Sequence, residues 1–319
     1  MIDQVLQEAH YWIKTAVILE KSSVECQPFS YKGKPGKDRR KLLVHFAETF
    51  WAFTAISVWM SQMFIPIFGD SQFAKTVSEF VWKTVPSHFP IKVHLEDIAA
   101  LDPERPYLVA VEPHSVLPIG LVSLTKHSGF LPWKKIKFAG STILLWTPIV
   151  RHLWSWMGLI PASRKLFSKL LEDGTTVVVV PGGVQECLHL RPGQETIFLR
   201  NRFGFIRCAI EAGTPLVPVF CFGQSEVYHY MKPQGKWYTT LSRRLGFTPM
   251  LFWGMYGTFF PYQQPINIVV GKPLDVKKNP TPSREEVAEM LGKFITAMEG
   301  LFEKHKAEHG YKDLKLYIM

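Results

Sequence analysis

A histidine placed directly after an apolar run marks where this chain could do chemistry. Leu108-Val109-Ala110-Val111 passes into Glu112-Pro113-His114-Ser115, and Pro113, with no N–H to give to a ladder, ends the run as a strand. Two further stretches repeat the pattern: Val177-Val178-Val179-Val180 leads into Pro181-Gly182-Gly183-Val184-Gln185-Glu186, and the run from Leu216 to Phe222 leads into Gly223-Gln224-Ser225-Glu226. If the three strands are parallel neighbours, their carboxyl ends share one edge, the edge where open α/β sheets bind ligands. His114, Gly182, Gly183, Glu186 and Glu226 then meet. An imidazole there can take a proton from a hydroxyl, and glycine-loop amides can receive an oxyanion, which together make a direct acyl transfer. The plainer readings are a structural histidine and a turn-forming glycine pair.

Other chemistries find no support. Gly223-Gln224-Ser225-Glu226-Val227 fails the G-x-S-x-G nucleophile elbow at its last position, so a serine acyl-enzyme is not expected. Neither His-Glu-x-x-His nor paired Cys/His spacing is found, and Gly182-Gly183 lies in no dinucleotide or P-loop pattern. No metal and no cofactor are therefore expected. Cys26, Cys187, Cys208 and Cys221 form no C-x-x-C pair, consistent with reduced thiols facing a cytosolic compartment.

The elements that must hold these residues read as an α/β domain preceded by a different kind of segment. With 319 residues, 47% hydrophobic, the chain can bury one large core. Its net charge of +10 suits anionic partners, among them acidic lipid and phosphate-bearing substrates, while the scattered cations argue against nucleic acid. Residues 5–19 could form an amphipathic helix and 30–41 a basic loop. Residues 49–69 carry no charge, long enough to span a bilayer of roughly 30 Å. We read 1–41 as a cytosolic N-terminal segment, 42–80 as membrane-embedded and 81–319 as the catalytic domain, with a buried core helix as the other reading of 49–69. Within the domain, helices are expected over 119–127, 163–173 and 197–212, and 142–161 as a surface element dipping into headgroups. An irregular lipid-facing stretch is expected over 245–265, before a strand at 266–270. A C-terminal helix should be capped by Ser283 with Glu286 and run to Gly310.

Several long motifs then carry a resemblance. The stretch from Glu112 to Gly120, Val180-Pro181-Gly182-Gly183-Val184-Gln185-Glu186, Gly204-Phe205, the run from Pro215 to Gln224, and Phe302-Glu303-Lys304-His305-Lys306 resemble the type-2 diacylglycerol acyltransferase family, in its plant-type branch. The resemblance implies a glycerolipid-acyltransferase-like, mostly parallel sheet flanked by helices, with an N-terminal membrane-embedded segment. It implies an endoplasmic-reticulum membrane enzyme, its catalytic domain facing the cytosol and lipid droplets a second address, that moves an acyl group from acyl-CoA to diacylglycerol and forms triacylglycerol. Its partners would be acyl-CoA, diacylglycerol and membrane lipid, with a homo-oligomer left open.

The wider family has His-Pro-His-Gly where this chain has Glu112-Pro113-His114-Ser115, so only His114 carries over as catalytic histidine. Related glycerolipid acyltransferases use His-x4-Asp, but Pro118 stands four after His114. Glu186, or else Glu112, would have to orient the imidazole. Gly182 or Gly183 would stabilise the oxyanion, Ser115 would lie against substrate, and Arg151, Lys165, Arg200, Arg202 and Arg207 are candidates for the CoA phosphates. The same chemistry on monoacylglycerol or a long-chain alcohol is the nearest alternative. A non-catalytic lipid-binding protein is the rival of another class.

Overall fold

A computed structural model describes residues 72–319, except 126–127, 148–149, 234 and 246. The expectations for 5–19, 30–41, 49–69 and Cys26 lie outside the described residues. No helix among those described is long and apolar enough to cross a membrane.

The chain begins with helix α1 (Gln72–His88), strand β1 (Ile91–Leu95), β2 (Leu108–Glu112) and β3 (Ile136–Gly140). Short helices α2 (Thr142–Trp146) and α3 (Val150–Trp156) lead to β4 (Leu159–Pro161), α4 (Arg164–Glu172) and β5 (Thr176–Val179). Next come α5 (Val184–His189), β6 (Gln194–Ile197), α6 (Phe203–Ala212) and β7 (Leu216–Phe222). The last third holds β8 (His229–Met231), α7 (Lys236–Leu245), β9 (Leu251–Trp253), β10 (Ile266–Val270), α8 (Arg284–His305) and β11 (Lys315–Ile318).

Seven strands form the main sheet in the order β1-β10-β7-β2-β5-β3-β4. The five from β7 to β4 run parallel, whereas β10 is antiparallel to β7. Both faces of the centre are covered, and so β2, β5 and β7 are buried at every position and read as unbroken apolar runs. The pleat divides them. Leu108, Ala110, Val177, Val179, Leu216 and Phe220 pack with Phe167, Ile206, Ile210, Leu291 and Phe294 of α4, α6 and α8. Val109, Val111, Val178, Val217 and Val219 pack on the other face with Leu124, Trp133 and Tyr228.

Several expectations need revision. Helix α1 runs through residue 80 and buries Ala74 and Ser78. Over 119–127 the regular element is a 3₁₀ turn, Ile119–Leu124, in which Ser123 Oγ donates to the Gly120 carbonyl at 2.6 Å and competes with α-helical bonding. The expected helix over 197–212 begins only at Phe203. Ile197 instead closes β6, paired with Ile318 of β11, in a strand buried at Glu195, Thr196 and Ile197 alike. The C-terminal helix starts as expected, with Ser283 Oγ accepting the Glu286 N–H at 3.1 Å. The Glu286 carboxylate turns to Asn279 at 2.8 Å rather than closing the box.

Candidate active site

The parallel pairing of β2 with both β5 and β7 places three carboxyl ends on one edge, and side chains from each reach across to the others. From the β7 end, Gln224 donates through Nε2 to the Pro113 carbonyl at 2.6 Å and accepts the Gly120 N–H through Oε1 at 2.7 Å. Ser115 Oγ donates to the Gln224 carbonyl at 3.2 Å. These bonds clamp the turn that carries His114, whose Glu112–Pro113 peptide is cis. Ser115 itself sits at φ 57°, a left-handed conformation rare outside glycine that persists only where the surroundings enforce it.

The imidazole is aimed by its neighbour's backbone. Nδ1 lies 2.9 Å from the Ser115 carbonyl, which must accept from an Nδ1–H, so the tautomer leaves Nε2 with its lone pair for substrate. Cys187 Sγ lies 3.3 Å from the same Nδ1 and 3.3 Å from the Ser115 carbonyl. Burial disfavours a charge on the ring, but the Cys187 sulfur, the Ser115 carbonyl and the Glu186 carboxylate outweigh it, and the His114 pKa rises to about 9. Surroundings that favour imidazolium make the neutral ring a stronger proton acceptor while reducing its fraction at neutral pH.

The sequence reading expected Glu186 to orient the imidazole, but its carboxylate bonds to main-chain N–H groups instead. Its Oε2 accepts the main-chain N–H of His114 at 2.6 Å and its Oε1 that of Phe198 at 2.8 Å. Glu112 accepts the Gly182 N–H at 3.0 Å, which takes that amide away from an oxyanion. Burial raises both carboxyl groups, and the neighbouring Glu186 pushes Glu112 well above the usual carboxylate range. Glu186 is opposed by its amide donors, so the shared proton rests on Glu112. This also resolves Glu112 Oε2, a buried atom with no other partner among the described residues: protonated, it becomes the donor to Glu186.

The two glycines are required for different reasons. A Cβ on Gly182 would overlap the Glu186 carboxylate. Gly183, at φ 52° and ψ −137°, occupies a region that essentially only glycine adopts. Arg202 joins this cluster, its Nη2 donating to the Gly182 carbonyl at 2.9 Å and its guanidinium 5.1 Å from the Phe198 ring centre.

The other cations disperse. Arg207 donates to the Pro282 carbonyl at 3.1 Å, tying α6 to the start of α8. Arg151 lies on α3. Lys165 and Arg200 are exposed, Lys165 in the first turn of the helix that follows the carboxyl end of β4. Glu226 is exposed too, and Gln224 occupies the place we expected it to take. Sequence reasoning missed Gln224 and Cys187. The only signal was position: Gln224 follows the β7 end by two residues, as His114 follows the β2 end.

Comparison with known proteins completes these observations. The family described as diacylglycerol acyltransferase matches residues 43–319. The chain is 32% identical to human 2-acylglycerol O-acyltransferase 3, covering 72% of each protein. It is 31% identical to diacylglycerol O-acyltransferase 2 of Danio rerio, over 87% of this chain and 82% of the relative. It is also 31% identical to human acyl-CoA wax alcohol acyltransferase 2, over 83% and 85%. Among solved structures, the 1-acyl-sn-glycerophosphate acyltransferase PlsC of Thermotoga maritima matches with a TM-score of 0.43 and 16% identity, over 84% of this chain and 97% of that one.

Proposed function

The chain belongs to the diacylglycerol acyltransferase family and is an acyl-CoA-dependent O-acyltransferase, and from that premise we propose that its acceptor is 1,2-diacylglycerol and its product triacylglycerol. The observation that carries the chemistry is His114, held at a strand end with Nδ1 on the Ser115 carbonyl. On this reading Nε2 takes the proton of the acceptor hydroxyl as its oxygen attacks the thioester carbon. The oxyanion is received by the Gly183 amide, the Gly182 amide being donated to Glu112. The carbon–sulfur bond then breaks, the thiolate of CoA leaves, and the imidazolium returns its proton to the departing sulfur or to solvent. Glu186 acts as a positioning residue through the His114 main chain, and Arg200 and Lys165 meet the phosphates of CoA. No cofactor enters these steps. The enzyme works on this reading at the endoplasmic-reticulum membrane and at lipid droplets, where its apolar acceptor resides.

Relatives named for 2-acylglycerol and for wax alcohol favour a second reading, the same transfer to another hydroxyl. Labelled acyl-CoA offered with diacylglycerol, 2-monoacylglycerol and a long-chain alcohol decides between them. We expect triacylglycerol to form fastest and His114→Ala to abolish it. Faster acylation of either other acceptor would reassign the substrate.

A further inference from the structure

Far along the sequence from the acyl-transfer residues, His305-Lys306-Ala307-Glu308-His309 sets two histidines four apart with a glutamate between them, at the end of α8. The His309 N–H bonds to the His305 carbonyl at 3.2 Å, so the helical turn continues and all three side chains share one side, a spacing that holds metal ions elsewhere. One ligand atom from each of His305, Glu308 and His309 lies within 4.8 Å of the others. A fourth group stands beside them: the His94 ring of β1 is centred 4.5 Å from that of His309. Nε2 of His94 and Nε2 of His309 are both buried with no hydrogen-bond partner among the described residues, an arrangement that costs free energy unless something binds them.

We propose that His305, Glu308, His309 and His94 form a site for one divalent transition-metal ion of the zinc class. Imidazole and carboxylate are the borderline ligands such an ion takes, at about 2.0–2.2 Å and tetrahedrally. The ligand atoms of His305, Glu308 and His309, within 4.8 Å of one another, need close by roughly 1–1.5 Å to reach the spacing of such a shell, and His94 enters it from beside His309. The surroundings also supply the outer contact that metal-bound histidines require. His305 presents Nδ1 to Glu308 at 3.4 Å while its Nε2 faces Glu96 Oε1 at 3.3 Å, and Lys304 holds Glu96 from the other side at 2.6 Å. A metal on Nδ1 leaves Nε2–H to donate to the Glu96 carboxylate. Glu308 has 60% of its side chain exposed against 13% for His305, which opens a path for entry. The sequence reading missed this set because it sought His-Glu-x-x-His, the reverse order, and because His94 comes from a strand more than 200 residues away.

The ion would act as a fastener. From His309 the chain passes through Tyr311 to β11, which pairs with β6, and β6 leads directly to Phe198, whose N–H holds Glu186.

The test uses the full chain purified in detergent, stripped with chelator and titrated with Zn²⁺ alone or Co²⁺ alone, following bound ions per chain, melting temperature and the visible spectrum of Co²⁺. We expect one ion per chain, a melting temperature that rises with metal, and the intense visible bands of tetrahedral Co²⁺. Glu308→Gln, at an exposed position, and His309→Gln should lose them, and Glu96→Gln should weaken affinity roughly 10–100-fold. Melting in chelator reports whether each variant folds. No saturable binding to the parent, or binding that folded Glu308→Gln and His309→Gln leave unchanged, would overturn the proposal.

Discussion

Glu186 holds His114 by the main chain and not by the ring: its carboxylate takes the His114 amide at 2.6 Å, while the imidazole turns to the Ser115 carbonyl. The residue that places the base and the group that sets its tautomer are therefore different, and substitutions can separate them.

Glu112→Gln should be nearly silent. A protonated Glu112 accepts from Gly182 and donates to Glu186, and a glutamine does both with the same shape. Glu186→Gln cannot do so, because its amide would face two backbone N–H donors with one oxygen. Leaving a buried donor unpaired costs about 1–3 kcal/mol. We expect a lowered melting temperature and a large loss of kcat for Glu186→Gln, near-parental behaviour for Glu112→Gln, and loss of both properties for Glu112→Ala.

The pH dependence follows from the His114 environment. Its pKa is raised to about 9, so the neutral base becomes more abundant as pH climbs toward that value, and kcat/KM should rise over the same interval. Cys187→Ala removes a favourable contact of the imidazolium, so the pKa falls and the rising limb moves to lower pH. A limb that stays in place, measured as kcat/KM against pH for both proteins, would detach Cys187 from the titration.

Gly182→Ala and Gly183→Ala should fail for distinguishable reasons. At Gly183 the cost is backbone strain of about 1–3 kcal/mol, seen first as a lower melting temperature. At Gly182 the new methyl displaces the Glu186 carboxylate, so activity should be lost even in preparations that remain folded. Equal activity in Gly182→Ala and parent would contradict the packing of that carboxylate.

Ser115→Gly should be tolerated. Glycine relieves a left-handed backbone by about 1 kcal/mol, and the lost Ser115–Gln224 hydrogen bond removes about as much. Thermal melting should place the variant close to the parent, and Ser115→Val well below it, since a β-branched side chain resists that conformation.

Glu195, which takes no part in the proposed steps, supplies a stability test. Burial raises its pKa to about 8, above its value in an unfolded chain. The stability of the protonated form is thus fully present below pH 4 to 5 and is lost as pH rises through 8. Glu195→Gln, which keeps the Ser225 hydroxyl as donor, should match the parent at pH 4.5 and exceed it increasingly toward pH 8.

Residues with one dominant environment were legible before folding was considered. The valine run of β5 and the apolar runs of β2 and β7 are buried on both faces, so their composition alone marks them, and parallel pairing then gathered His114, Gly182, Gly183 and Glu186. What escaped depends on partners distant in sequence. Ile197 reads as helix until Ile318 pairs with it, and nothing near Gln224 signals that Pro113 and Gly120 will need its amide. Glu186 was identified as necessary but given the wrong partner, because backbone N–H groups carry no mark in a sequence.

Since His114 is aimed by the Ser115 carbonyl and Cys187 and its turn is held by Glu186 and Gln224, the groups that fix the base need not be those that hold the alcohol being acylated. Lineages could thus exchange one acceptor for another by altering the residues that surround that alcohol alone. A fold of this kind can diversify in substrate while its reacting centre stays still, and relatives named for partial glycerides and for wax alcohols have the names such a history would leave.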